Sequence, residues 1–219
     1  RVSFPPIGAL PYLLTLPAYG FYWFRLATDA EAPHWHEERL TREDLPVIVL
    51  FDGWLSFFRD RVVPWRIGMA EKTRAQLETH LLPAYLESQR WYAAKGERPR
   101  AARLADHALW NVDGGSWLLT LLDTEGTEPA RYFVPLVLAW EDADEERMKG
   151  LAPATLAKVR QQAKIGVLAD AFADEAFCRA MVRATGAALE IPAAGGRIRF
   201  TPTRIYAELA GPDVAELPL

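Results

Sequence analysis

Cysteine is almost missing. Cys178 is the single one in 219 residues, so no intrachain disulfide forms and the fold must rest on packing, which suits a reducing cytoplasm. No apolar run reaches the roughly 18 to 20 residues of a membrane-spanning helix. The N-terminus also lacks the charged, apolar and small-residue sections of a signal peptide. There is no excess of positive charge either: the net charge is -4 and the pI about 5.7, whereas a nucleic-acid or membrane-surface partner calls for a basic stripe. Both partners are therefore excluded from the reading.

Catalytic signatures are missing too. The chain contains neither a GxxxxGK phosphate loop nor GxGxxG, and no GxSxG, HExxH or CxxC. Lys95-Gly96 has no glycine loop upstream to cradle phosphate, and Gly195-Gly196 reads as a turn. Histidine is scarce at four residues, His34, His36, His80 and His107. His34 and His36 lie beside Glu37 and Glu38, but a zinc site needs further ligands, and the segment reads as a solvated linker. His80 falls on a helix as a structural histidine. Cys178 has no neighbour that activates it and reads as a small buried hydrophobe. The acidic run Glu141 to Met148 reads as solvated surface, because paired carboxylates do acid/base work only where a desolvated pocket separates their pKa values. No catalytic, cofactor or metal residue is assigned.

What the chain does have is aromatic and apolar mass, with 50% hydrophobic residues and 8 Trp. Its centre is Leu77 to Gly96, LETHLLPAYLESQRWYAAKG, within a helix read over 70–90. Leu77, Leu81, Leu82, Tyr85 and Leu86 form the apolar stripe, while Glu71, Lys72, Arg74, Glu78, Glu87 and Gln89 keep the other side wet. Pro83 calls for a kink or restart with the proline in a first turn. Trp91 and Tyr92 anchor the exit, Lys95 suits a helix C-terminus, and Gly96 supplies a left-handed residue.

Upstream, prolines and Gly20 limit residues 1–26 to short strands, Tyr12 to Leu16 and Phe21 to Leu26. Residues 28–46 are a polar linker. Val47 begins a strand, then WLSFFRDRVV reads as a helix with Trp54, Phe57, Phe58 and Val62 on one face, ended by Pro64. Downstream, the period changes to two. Strands are expected over 101–112, 116–123 and 131–140, with Trp117, Leu119 and Leu121 facing the helix together with Tyr132, Val134, Leu136 and Leu138. Then follow a helix over 154–162, a strand in 164–172, a helix over 174–186 capped by Asp174 with Phe177, Met181 and Ala184 buried, and a last strand over 196–206.

Two stretches resemble known families. IGALPYLLTLPAYGFYWFRL, residues 7–26, is similar to the C-terminal end of bacterial trehalose synthase, which interconverts maltose and trehalose. LLPAYLESQRWYAAKGERPR and GVLADAFADEAFCRAM resemble the N-terminal cap region of maltokinase, which phosphorylates maltose with ATP. Their order matches fused trehalose synthase/maltokinase polypeptides. The family often carries more glycine after its aromatic pair, where this chain has Ala93-Ala94.

The resemblance implies an α+β fold, an antiparallel curled sheet on a long helix in a cystatin- or monellin-like cap over 47–219. Ahead of it, residues 1–27 would be orphan strands of a β-sandwich. It also implies a non-catalytic interdomain segment of a cytoplasmic enzyme, with the synthase barrel and the kinase lobes as partners. ATP and magnesium would be held by the kinase part beyond Leu219, and no family catalytic residue maps onto this chain. A start at Arg1 without Met and an end at AELPL read as a piece cut from a longer polypeptide, or as a processed protein.

Two further expectations come from the aromatics. As an alternative function, Phe21, Tyr22, Trp23, Trp91 and Tyr92 would form a maltose or glucan platform. Separately, exposed strands carrying Tyr12, Phe21, Trp23 and Phe24 would promote self-association, so deleting residues 1–27 would reduce it.

Overall fold

The computed structural model describes residues 45–94, 96–127, 129–142 and 145–209. The strands expected over 12–16 and 21–26, the linker up to residue 44, and Lys95 lie outside them. The first strand, β1, is Val47–Val49 with Ile48 turned into the core. No α-helix follows over WLSFFRDRVV. Short 3-10 turns at Gly53–Phe57 and Arg59–Arg61 replace it. Phe57 and Phe58 are consecutive and both buried, and the chain passes through an extended conformation at Phe58. Ser56 Oγ accepts the N–H groups of Phe51 and Asp52 at 3.1 and 2.9 Å, a local bond that competes with helix formation. Pro64 opens the next turn, Pro64–Arg66, instead of ending a helix, since proline costs nothing at a first helical position.

The central helix has three parts: α1, Ile67–Gln76; a π-helical turn, Leu77–Leu81; and α2, Leu82–Ser88. The restart comes where the proline demands it. Pro83 lacks an N–H and its ring crowds the preceding turn, so a widened turn precedes it and Pro83 sits in the first turn of α2. Leu77, Leu81, Leu82, Tyr85 and Leu86 are all buried. Gly96 has φ +80°, the left-handed exit.

Strands β2, Ala101–Val112, and β3, Gly115–Glu125, form a hairpin whose turn residues Asp113 and Gly114 both have positive φ, as a two-residue hairpin turn requires. The strand expected over 131–140 divides into β4, Arg131–Phe133, and β5, Leu136–Trp140. Pro135 breaks it because it has no N–H to continue a ladder, and its carbonyl instead accepts Ala171 N–H at 2.8 Å. After α3, Glu145–Leu151, the segment expected as a helix is a strand, β6, Thr155–Gln161. It pairs with β7, Lys164–Asp170, on one side and β1 on the other. Tertiary pairing overrides its helical propensity. Helix α4, Glu175–Gly186, starts at its Asp174 cap as expected. The last expected strand shrinks to β9, Arg197–Arg199, which pairs with β8, Glu190–Pro192, in a separate ribbon. Pro202 interrupts it, and Thr203 Oγ1 accepts Tyr206 N–H at 3.1 Å to open α5, Arg204–Leu209.

Among the described residues the main sheet has seven strands, in the order β1-β6-β7-β5-β3-β2 with β4 also on β3. It is mostly antiparallel, but β1 runs parallel to β6, so the sheet is mixed at that edge. Both faces are covered. Leu118, Leu122 and Leu136 pack on the central helix, whereas Trp117, Leu119, Val137 and Ala139 pack on the side of Phe177, Ala180 and Ala184 from α4. The expectation that Trp117 and Leu119 face the central helix is therefore corrected. The register pairs Leu118 with Leu136 and Trp117 with Val137, and a one-residue offset exchanges the faces.

The sheet curls around the central helix, and two side chains of one turn record it. Gln76 Nε2 donates to Val47 O in β1 at 3.0 Å, while Arg74 Nη2 donates to Leu104 O in β2 at 3.1 Å. These strands are the opposite outer edges of the sheet.

Candidate functional site

Polar side chains converge at three places on this frame. The first is the π turn. Glu78, expected on the wet side, is only 6% exposed. Its Oε1 accepts Arg74 Nε at 2.9 Å and Leu104 N–H at 3.0 Å, and its Oε2 accepts Arg103 Nη1 at 3.2 Å. Arg103 also donates to Glu125 at 2.9 Å, and the two carboxylates push the guanidinium further toward the charged form. Buried charge survives here because both carboxylate oxygens accept protein donors, two of them guanidinium groups.

The second and third are at the ends of the short turn between β7 and α4. Tyr85 Oη donates to Asp170 Oδ2 at 2.7 Å, and Phe172 N–H to Oδ1 at 2.9 Å. Burial nevertheless pushes the Asp170 carboxyl above its ordinary range, with those two bonds opposing the shift. Asp174 caps α4 through Ala176 N–H at 3.3 Å, accepts the indole N–H of buried Trp117 at 2.8 Å, and pairs with Arg147 at 2.6 Å. Arg147 belongs to the run read as solvated surface. Arg147 is partly exposed, and Met148 beside it is buried.

Chemically these groups hold structure. Each carboxylate is engaged by protein donors, and the acidic residues at the three places serve different elements rather than facing one another across a pocket. Cys178 Sγ contacts Phe172 O at 3.5 Å, and burial and then the Asp174 charge raise its thiol pKa, which disfavours a thiolate nucleophile. His80 is exposed, with its carbonyl bound by Arg98. His107 stacks on Phe58 with centroids 4.0 Å apart, and burial lowers its pKa, as does Arg74. Among the described residues no group of three or more His, Cys, Asp or Glu is placed to hold a metal, and none of the described helices is long and apolar enough to cross a membrane.

The aromatic exit comes together differently from the expected sugar platform. Trp91 is 48% exposed, but Tyr92 is 4% exposed and has no face free for a sugar ring. Both pack on Tyr132, at 5.7 and 5.6 Å between centroids. Burial, then the neighbouring Tyr132, raises the Tyr92 phenol pKa. A cavity of about 670 Å³ lies beside Tyr92, bordered by Arg98, Arg100, Thr124, Glu125 and Thr127. Tyr12, Phe21, Tyr22, Trp23, Phe24, His34 and His36 lie outside the described residues.

Sequence reasoning missed Glu78, Asp170 and Arg147 as anchors. The one available signal was Arg74 four residues before Glu78, a helical ion-pair spacing set inside the Leu77–Leu81 stripe.

Residues 85–174 match the maltokinase N-terminal cap domain family. A short stretch is 70% identical over 28 residues to the trehalose synthase/amylase TreS of Mycobacterium tuberculosis (strain ATCC 25618 / H37Rv), covering 13% of this chain and 5% of that protein. The corresponding protein of Mycolicibacterium smegmatis (strain ATCC 700084 / mc(2)155) is 76% identical over 32 residues, 15% of this chain and 5% of that one. The trehalose synthase of Pimelobacter sp. (strain R48) is 72% identical over 30 residues, 14% and 5% respectively. The chain thus spans about a twentieth of the length of these relatives. No solved structure matches it. Residues 85–174, then, are similar to the maltokinase N-terminal cap domain family, and together with the trehalose synthase matches this is consistent with a fused trehalose synthase/maltokinase polypeptide.

Proposed function

We propose that the chain is a non-catalytic interdomain segment of a bifunctional enzyme, joining and orienting a trehalose synthase, which interconverts maltose and trehalose, and an ATP-dependent maltokinase, which forms maltose 1-phosphate. The observation that carries this is the cap-family match over residues 85–174, the part that contains the end of α2 and most of the main sheet. The engaged carboxylates of Glu78, Asp170 and Asp174 support a structural role.

In this reading residues 1–27 are the closing strands of the synthase β-sandwich, 28–46 the linker and 47–219 the cap, whose sheet curled on a helix is cystatin- or monellin-like. The synthase barrel and kinase lobes are its partners, ATP and magnesium belong to the kinase part, and the assembly works in the cytoplasm.

The test is to assay the 219-residue chain beside the full polypeptide. The chain alone turns over neither maltose with ATP nor maltose to trehalose, while the full polypeptide does both. Either activity in the isolated chain overturns the reading.

A further inference from the structure

The cavity beside Tyr92 is a built recess. Buried Tyr92 and Pro99 form its floor, and its rim is exposed, where the segment leaving the aromatic exit meets the turn after β3. Both walls are held in place. Arg100 N–H donates to Glu125 O at 2.7 Å, while Thr124 Oγ1 donates to Ala130 O at 3.0 Å and accepts Ala130 N–H at 2.9 Å, which pins the turn over 126–129 at its ends. The volume of about 670 Å³ falls within the roughly 300–1,000 Å³ usual for small-molecule sites.

Polar groups on its lining are left without protein partners. Tyr92 is 4% exposed, yet its hydroxyl makes no hydrogen bond among the described residues. No side-chain oxygen or nitrogen among those residues is both sealed from solvent and unpaired, so the hydroxyl keeps an opening, and the cavity is what it borders. Burial first, then neighbouring Tyr132 and Glu97, disfavour its ionisation, and it stays a donor. The Arg100 guanidinium, the Glu97 carboxylate and the Thr127 hydroxyl likewise make no hydrogen bond or ion pair among the described residues. Arg98 and Glu125 differ, being held to His80 O at 3.0 Å and to Arg103 at 2.9 Å.

We infer that this cavity binds a neutral sugar of disaccharide size, held by its hydroxyls among Tyr92, Arg100 and Glu97. The lining decides the class. Its charged residues are two arginines and two glutamates, Arg98, Arg100, Glu97 and Glu125, so an anion meets unpaired Glu97 and a cation meets unpaired Arg100. An apolar ligand strips water from both and returns no hydrogen bond. A sugar hydroxyl donates and accepts at once, which suits unpaired donors and an unpaired acceptor around one cavity. Ala94 and Pro129 offer apolar contact to its C–H faces. This ligand needs no aromatic face, so the packing of Tyr92 on Tyr132 is no obstacle. The sugar class rests on the lining alone, and the choice of maltose as first probe rests on the function proposed above.

Isothermal titration calorimetry of the 219-residue chain with maltose, trehalose, sucrose and glucose 1-phosphate tests this. Maltose gives saturable one-to-one binding at millimolar concentration. Tyr92→Phe weakens it about fivefold, as loss of one neutral hydrogen bond does, and Arg100→Ala about tenfold or more, as loss of bonds to a charged group does. Trp91→Ala leaves it unchanged, because Trp91 lies outside the lining. Thermal melts check that each variant folds, and exposed Arg100 keeps the test decisive if Tyr92→Phe disturbs the core. No saturable binding of any of the three disaccharides overturns the proposal, and leaves the activity assays of the proposed function as they stand. Unchanged affinity in Arg100→Ala overturns it too, and loss in Trp91→Ala would then identify a stacking platform. Tighter binding of glucose 1-phosphate than of maltose overturns it in favour of an anion site. Binding of sucrose without maltose upholds the cavity and counts against the functional reading that chose the probe.

Discussion

Glu78 Oε1 accepts the main-chain N–H of Leu104 at 3.0 Å, and so ties the widened turn of the central helix to the sheet edge where β2 shifts register. Arg74 donates to the carbonyl of the same Leu104 at 3.1 Å. Two helical side chains thus satisfy the outward backbone groups of an edge residue, as a further strand would, and the edge is protected from pairing with another chain.

Glu78→Ala removes the carboxylate common to both arginines and leaves Leu104 N–H without its acceptor. Arg74 and Arg103 are partly exposed and rehydrate, so the loss is that of hydrogen bonds to a charged group, about 2 kcal/mol in urea unfolding. Glu78→Gln retains one acceptor and loses less. Equal losses for both variants would show that the charge, not the Leu104 bond, matters.

Asp174→Ala leaves the Trp117 indole N–H unpaired in the core and removes the cap of α4. An unsatisfied buried donor costs about 1–3 kcal/mol and a lost cap about 1 more. Chemical denaturation should report about 3 kcal/mol, accompanied by a change in near-UV circular dichroism from Trp117.

His107 predicts a pH dependence. Its folded pKa lies below the ordinary value of 6.5 because burial disfavours the charged ring. The folded state therefore binds fewer protons than the unfolded chain. The stability due to neutral His107 is fully present above that value, and is lost as pH falls from it through the folded pKa. Asp170 acts in the opposite sense, since its raised pKa makes acidification relieve a buried charge. Unfolding free energies measured from pH 7.5 down to about 5 should therefore have a shallower slope in His107→Gln than in the unaltered chain. Identical slopes would remove His107 as the source.

Two glycines should respond oppositely to alanine. A Cβ at Gly166 would overlap the Ala139 carbonyl oxygen in the adjacent strand, so Gly166→Ala costs about 1–3 kcal/mol or more through forced displacement of the sheet. Gly68 is an exposed residue of α1 with nothing near a built Cβ, and Gly68→Ala stabilises by about 0.5–1 kcal/mol. Thermal melts of both variants check the pair.

Much of the frame was legible in the chain itself. The apolar stripe of the long helix, the Asp113-Gly114 hairpin with the strands on each side, the Asp174 cap and the left-handed Gly96 are local matters of spacing and backbone preference, and each appears where its residues demand. The restart at Pro83 is equally local, because the ring and the missing N–H act on the turn immediately before it. The motif LLPAYLESQRWYAAKG likewise carries the resemblance without any knowledge of packing, and the cap-family match begins inside it at residue 85.

What local preference could not decide was which partner each segment meets. Thr155 to Gln161 has helical composition but lies between β1 and β7, where ladder bonds on both sides outweigh propensity. Trp117 and Leu119 alternate correctly, yet their face depends on the register with β5, a quantity set by the whole sheet. Glu78 reads as a surface carboxylate until Leu104 and Arg103, more than twenty residues away, arrive to bond it. By itself the sequence determined the long helix, the first hairpin, the Asp174 cap and the restart at Pro83, because turns, caps and periodicities act over a few residues. Only the tertiary structure decided pairing, facing and the burial of charge, because those energies exist only once distant segments exclude water together.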